Sequence, residues 1–195
     1  MLTILVNGLP GAGKTTLARA LAAELGLPLL SKDAIKETLA DTLADARPAG
    51  WSHREWSNSL GAAAGETLWT LLRDARGDAV LEAPWLAPLR PVVVAGMRRA
   101  GVSAMQEVWC EVPAAVARAR FDARTPERHA VHLESGGALT EEHWAGWVRG
   151  ARPLGLGPVH RTDTGRPVDV TALAARLRAG APAQPGQRRA QRTRR

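Results

Sequence analysis

A chain of 195 residues with 45% hydrophobic residues and a net charge of +7 is long enough for one packed domain and ordinary in its apolar content. No apolar run approaches the roughly 18 residues a membrane span requires, and the N-terminus lacks the basic start and apolar stretch of a signal peptide. Cys110 is the only cysteine, which excludes an intramolecular disulfide, so a cytoplasmic location is expected by default.

Residues 2–6, Leu-Thr-Ile-Leu-Val, form a short apolar, β-rich run suited to a buried parallel strand. Gly8 to Thr15 then fit the pattern of Gly, four residues, Gly-Lys, and Ser or Thr. Gly8, Gly11 and Gly13 permit a tight loop whose backbone N–H groups converge on phosphate oxygens. Lys14 is expected to reach the β- and γ-phosphates, and the Thr15 hydroxyl to ligate Mg²⁺. Thr16 to Leu25 carries Leu17, Ala18, Leu21 and Leu25 at helical spacing, with Gly26 as its stop, so bound phosphates would rest on a helix N-terminus.

Leu27 to Leu30 reads as a second strand, and Asp33 opens a helix in which Ile35, Leu39 and Leu43 recur every four residues. Asp33 thus stands at the strand edge where parallel α/β sheets bind ligands. A plain N-cap role suits it equally, and one residue can do both. Ser52 with Glu55 makes a capping box for a long helix over about 53–76, with Leu60, Ala64, Leu68, Leu71 and Leu72 as its apolar face. Trp51, Trp56 and Trp69 are spaced for packing. Ala79 to Leu81 is the third strand. Glu82 follows it as an acid organising Mg²⁺ through water, a substrate-facing group, or a strand-terminating residue.

Residues 88–100 read as a helix and 104–111 as the fourth strand, with Cys110 a small core residue. Pro113 starts a helix over 114–124. Arg120, Arg124 and Arg128 are four apart and would share one face of a continuing helix, an arrangement that is costly unless it meets an anion. A phosphate-clamping lid over about 119–138, hinged at Ser135-Gly136-Gly137, is expected, with His129 and His132 as lid or substrate contacts at best. A helix over 140–148 places Trp144 and Trp147 together, most simply in the core. A fifth strand over 158–162, the loop Asp163-Thr164-Gly165-Arg166 and a helix over 167–179 complete a domain spanning 1–180. Five of the positive charges belong to Arg188, Arg189, Arg192, Arg194 and Arg195 within residues 181–195, leaving +2 for the body. That tail is expected to be disordered. It can touch nucleic acid, although a solvated end is preferred.

Strands alternating with helices from a phosphate loop imply a three-layer α/β/α architecture with a five-stranded parallel sheet. Gly8-Leu9-Pro10-Gly11-Ala12-Gly13-Lys14-Thr15-Thr16, Ser31-Lys32-Asp33-Ala34-Ile35-Lys36-Glu37, Val80-Leu81-Glu82, Arg120 to Arg128 and Thr162-Asp163-Thr164 together resemble the small P-loop kinases. The resemblance is closest to the group of zeta toxins, chloramphenicol phosphotransferase and polynucleotide-kinase kinase domains, and to predicted kinases named AAA family ATPases. It implies ATP as co-substrate with Mg²⁺, residues 8–16 around the phosphates, and adenine near Asp163 and Thr164. It implies Asp33 as general base, Arg120 and Arg124 stabilising the transferring phosphoryl with Arg128 behind them, and Lys36 on the substrate where Arg is usual. The expected activity is transfer of a γ-phosphate to a hydroxyl of a small molecule such as a nucleoside, sugar, nucleotide-sugar or antibiotic. A 5′-hydroxyl polynucleotide kinase and a slow ATPase switch without acceptor are the alternatives. The scarcity of aromatic residues weighs against the polynucleotide, and Asp33 with the arginines against the switch.

Overall fold

The computed structural model describes residues 1–132 and 140–181, in which five strands alternate with seven α-helices. The strands are β1 (Thr3–Asn7), β2 (Leu29–Ser31), β3 (Ala79–Glu82), β4 (Gln106–Glu111) and β5 (Val159–Asp163). They form one parallel sheet in the order β2-β3-β1-β4-β5. The helices are α1 (Lys14–Leu25), α2 (Lys32–Thr42), α3 (His53–Asp74), α4 (Arg90–Ala100), α5 (Ala114–Ala123), α6 (Glu141–Gly150) and α7 (Val170–Ala179).

The sheet is covered on both faces, because alternate residues of each strand point to opposite sides. Ile4 and Val6 of β1, with Val80 and Val108, pack against Leu17 and Leu21 of α1 and Leu173 and Leu177 of α7. Leu5 and Leu81 face the other way, onto Leu68 and Leu72 of α3 and Val93 and Met97 of α4. Gly96 lets α4 approach α3 closely, since a Cβ there would overlap the Trp69 ring. That ring in turn stacks on Trp85 at 5.0 Å between centroids.

Several element ends differ from expectation for local reasons. Ser31, not Asp33, caps α2 and accepts a bond from the Ala34 N–H, which moves Asp33 into the first turn. The capping box of α3 is present in both directions, but Leu71 on the same helix is 40% exposed. Trp51 is 41% exposed and meets Trp56 edge-on, so it is not a core residue. A 3₁₀ turn at Ala87–Leu89 takes up Pro88, and α4 begins at Arg90. α5 ends at Ala123, followed by a 3₁₀ turn at Thr125–Glu127. Pro126 lacks the N–H a helix needs and disfavours helical backbone at Thr125, so Arg120, Arg124 and Arg128 do not share one continuous helix. The expected hinge at 135–137 and nearly all of the basic tail lie outside the described residues. Among the described residues no helix is long and apolar enough to cross a membrane.

Candidate active site

Strand register assembles the site. Val6 pairs with Glu82 and Ser31 pairs with Glu82 from the other side, so β1, β3 and β2 end level with one another where the glycine loop begins. The carboxyl ends of a parallel sheet are where such folds bind ligands. Within the loop, Gly11 has φ +85°, and a Cβ there would strike the Ala117 carbonyl of α5. Lys14 begins α1 and is buried, its Nζ donating to the Leu9 carbonyl at 2.9 Å. Burial pushes the Lys14 ammonium below its ordinary value, against the opposing charges of Glu82 and Asp33.

Glu82 is buried, and its two carboxylate oxygens are shared between neighbouring elements. Oε1 accepts from the Thr15 hydroxyl at 3.2 Å, and Oε2 from the Ser31 hydroxyl at 2.8 Å. A hydroxyl and a carboxylate beside a phosphate loop form a hard oxygen donor set. That suits Mg²⁺, which keeps several waters and takes phosphate oxygens alongside one or two protein ligands. Among the described residues no group of three or more His, Cys, Asp or Glu offers a metal cage.

A cleft of about 1420 Å³ opens above this edge, lined by Lys14, Thr15, Asp33, Lys36, Glu82, Arg118, Arg124 and Arg128 together with Phe121, His129, His132 and Trp147. That exceeds the roughly 300–1,000 Å³ of a site for one small ligand and leaves room for two substrates. Asp33 is half-buried and makes no hydrogen bond or ion pair among the described residues. Lys36 stands one turn further along α2, its Nζ donating to Ser57 Oγ at 2.8 Å and to the Val131 carbonyl at 3.4 Å. Arg128 lies over the Phe121 ring at 4.3 Å. His129 meets Asp41 at 3.0 Å and His132 meets Glu37 at 2.9 Å, fastening the chain after α5 to α2 as one wall of the cleft.

The arginines of the expected lid are dispersed. Arg124 is exposed on the cleft, its Nε donating to the Arg120 carbonyl at 3.3 Å. Arg120 turns away from the cleft and donates to the Thr164 carbonyl at 3.1 Å. Thr164 Oγ1 donates to the Ala12 carbonyl at 2.7 Å, so the loop after β5 rests on the glycine loop. Asp163 accepts from Arg166 Nε at 2.7 Å and from the Gly165 N–H at 2.8 Å, and these bonds hold its carboxyl below the usual range. Burial pushes the Cys110 thiol up to about 12, which leaves it a core residue and no nucleophile.

Four contributors escaped sequence reasoning. Asn7 and Glu107 are fully buried and bonded to each other at 2.9 Å, and the Asn7 Oδ1 accepts the Gly8 N–H at 2.8 Å. Arg118 meets Asp122 at 2.7 Å and Glu141 at 3.2 Å. Ser31 holds Glu82. An acid within a central strand and an amide just before the glycine loop are signals in the Glu107 and Asn7 positions, and Ser31 heads the run Ser31-Lys32-Asp33, although its bond to Glu82 is not legible there.

A family model described as an AAA domain, AAA_33, matches residues 3–155. No curated protein matches the chain. Among solved structures, a presumed kinase from Chloroflexus aurantiacus is 30% identical with a TM-score of 0.75, the match covering 93% of this chain and 98% of that one. Shikimate kinase from Acinetobacter baumannii, in complex with shikimate, shares the fold at 20% identity and a TM-score of 0.57, covering 91% of this chain and 90% of that one. Kti12 from Chaetomium thermophilum, in complex with ADP-AlF3, does so at 20% identity and a TM-score of 0.58, covering 93% and 100%. With the family model spanning residues 3–155 and the P-loop at its start, the chain belongs to the AAA_33 family of AAA domains and has the α/β fold of P-loop kinases.

Proposed function

We propose that this protein is an ATP-dependent kinase that transfers the γ-phosphate to a hydroxyl group of a small molecule, with Asp33 as general base. One observation carries the reading: Asp33, whose carboxylate makes no hydrogen bond or ion pair among the described residues, lines the same cleft as Lys14 and Thr15. In the proposed reaction the acceptor O–H gives its proton to Asp33 while its oxygen bonds to the γ-phosphorus. The bond from that phosphorus to the β–γ bridging oxygen breaks, and ADP leaves. Residues 8–16 would cradle the phosphates, and Lys14 and Arg124 would oppose the charge on the transferring group. Thr15, with Glu82 acting through water, would hold Mg²⁺, which supplies further charge neutralisation when bound. Arg120 is better suited to bracing the loop at Asp163 and Thr164, where adenine would lie, than to touching the phosphoryl, because its guanidinium is directed to the Thr164 carbonyl. Lys36 and Arg128 face the acceptor end.

The test is an acceptor screen with γ-labelled ATP and Mg²⁺, repeated with Asp33→Asn. Label passes to an alcohol in the wild type, and kcat falls by roughly 10²–10⁴ in the variant while ATP affinity is kept. Undiminished transfer by Asp33→Asn refutes the assignment of the base, and label released only as free phosphate refutes the kinase reading in favour of a slow ATPase switch.

A further inference from the structure

Building on the reading that Thr15 and Glu82 hold Mg²⁺ beside the phosphates, we infer that Ser31 is the positioning residue of that metal end. Its hydroxyl fixes the Glu82 carboxylate, which in turn fixes where the Thr15 oxygen points. A hydroxyl offers an oxygen lone pair to a hard cation most directly when its proton is committed to another acceptor. For Thr15 that acceptor is Glu82 Oε1 at 3.2 Å. The direction of the Thr15 lone pairs therefore follows the rotation of one carboxylate. Among the described residues that carboxylate accepts from Thr15 and Ser31 alone, and Lys14 donates to the Leu9 carbonyl instead. The Ser31 bond to Oε2, at 2.8 Å, is the shorter of the two and sets the rotation.

Register brings the serine there. Ser31 and Glu82 are paired on β2 and β3, so their side chains leave the sheet on the same side. The Ser31 hydroxyl has a single proton and gives it to Glu82, while its oxygen accepts the Ala34 N–H at 3.5 Å in the first turn of α2. One oxygen atom thus ties the metal end of the cleft to the helix that carries Asp33. Removing this hydroxyl has two separable effects: a lost cap, which costs stability, and a carboxylate free to rotate away from Thr15, which costs metal binding. Only the second is felt through Glu82.

The experiment is calorimetry of β,γ-imido-ATP binding to the full chain in EDTA and in excess Mg²⁺, and the quantity read is the gain in affinity that Mg²⁺ brings. Ser31→Ala is expected to cut that gain by about tenfold, the scale for loss of a group that orients a metal ligand, while affinity in EDTA stays within about twofold of wild type. Ser31→Thr keeps the hydroxyl and should retain the gain to within about threefold. In a Glu82→Gln background, where the gain is already reduced, Ser31→Ala should remove nothing further, because the serine acts through that carboxylate. Four results overturn the inference: an unchanged gain in Ser31→Ala, an equal loss of affinity in EDTA and in Mg²⁺, a Ser31→Thr loss as large as that of Ser31→Ala, or an undiminished Ser31→Ala effect in the Glu82→Gln background. The expected Ser31 effect without label transfer from ATP to any alcohol sustains the inference and defeats the kinase reading. Label transfer to an alcohol with an unchanged gain in Ser31→Ala does the reverse.

Discussion

Replacing Glu107 by Gln changes one oxygen for an NH₂ and leaves shape unaltered, yet the structure predicts damage that reaches the glycine loop. Glu107 is 1% exposed. Its Oε1 accepts from Asn7 Nδ2 at 2.9 Å and from the Leu154 N–H at 3.1 Å, and its Oε2 accepts from the Leu154 and Gly155 N–H groups at 2.8 and 3.1 Å. A glutamine has one acceptor oxygen for these donors. With its amide N at the Oε2 position, donor faces donor: the buried Leu154 N–H loses its shorter bond and keeps only the 3.1 Å bond at the Oε1 position, while the exposed Gly155 N–H loses its charged acceptor. With the amide N toward Asn7, relief requires the Asn7 amide to flip, which breaks the bonds from Nδ2 to the Trp85 carbonyl at 2.7 Å and from the Gly8 N–H to Oδ1 at 2.8 Å. Either way a buried donor is left facing another donor, at about 1–3 kcal/mol. For a chain of this size that lowers Tm by roughly 2–12 °C. The second route also loosens Gly8, so nucleotide affinity falls together with stability. Thermal unfolding and ADP titration of Glu107→Gln measure both. A Tm within about 1 °C of wild type, corresponding to well under 1 kcal/mol, refutes the reasoning.

Other outcomes follow from the same geometry. Gly11→Ala forces an L-residue to φ +85° and drives its Cβ into the Ala117 carbonyl, so ATP affinity should fall by at least about tenfold; unchanged nucleotide titration would contradict this. Burial holds His132 and His160 below the ordinary imidazole value, with Lys36 and Arg176 respectively adding to it. The unfolded chain then binds more protons, so stability is full above about pH 6.5 and declines as pH falls through that value. Melting curves between pH 8 and pH 5 test the sign, and a Tm that rises on acidification to pH 5 would reverse it.

The strands, helices and phosphate loop were legible because their signals are local. Apolar runs, the Ser52 and Glu55 pair, and glycines after α1 and α4 act within a few residues of where they stand. The end of the arginine-bearing helix was legible too, placed at about Arg124 and found at Ala123; the shared face of Arg120, Arg124 and Arg128 was conditional on one continuing helix, which Pro126 does not allow. Trp51 was misread, since a large aromatic residue was assigned to packing and stands 41% exposed.

The site is different in kind, because its relations are set by register and not by spacing. Glu82 and Thr15 are 67 positions apart and meet only because β3 lies beside β1 with Val6 opposite Glu82. Lys36 and Val131 are 95 apart and meet because the chain after α5 folds back onto α2. A sequence reading can name Glu82 as an acid at a strand end, but it cannot say that Ser31 shares its carboxylate with Thr15. Nor can it say that Arg120 is committed to Thr164 while Arg128 forms no ion pair among the described residues. These commitments decide chemistry. An arginine bonded to a backbone carbonyl braces a loop, and one without a counter-ion is open to an anion. The division of Arg120 from Arg128 therefore turns one basic segment into two parts, a brace on the loop after β5 and a cation lining the cleft.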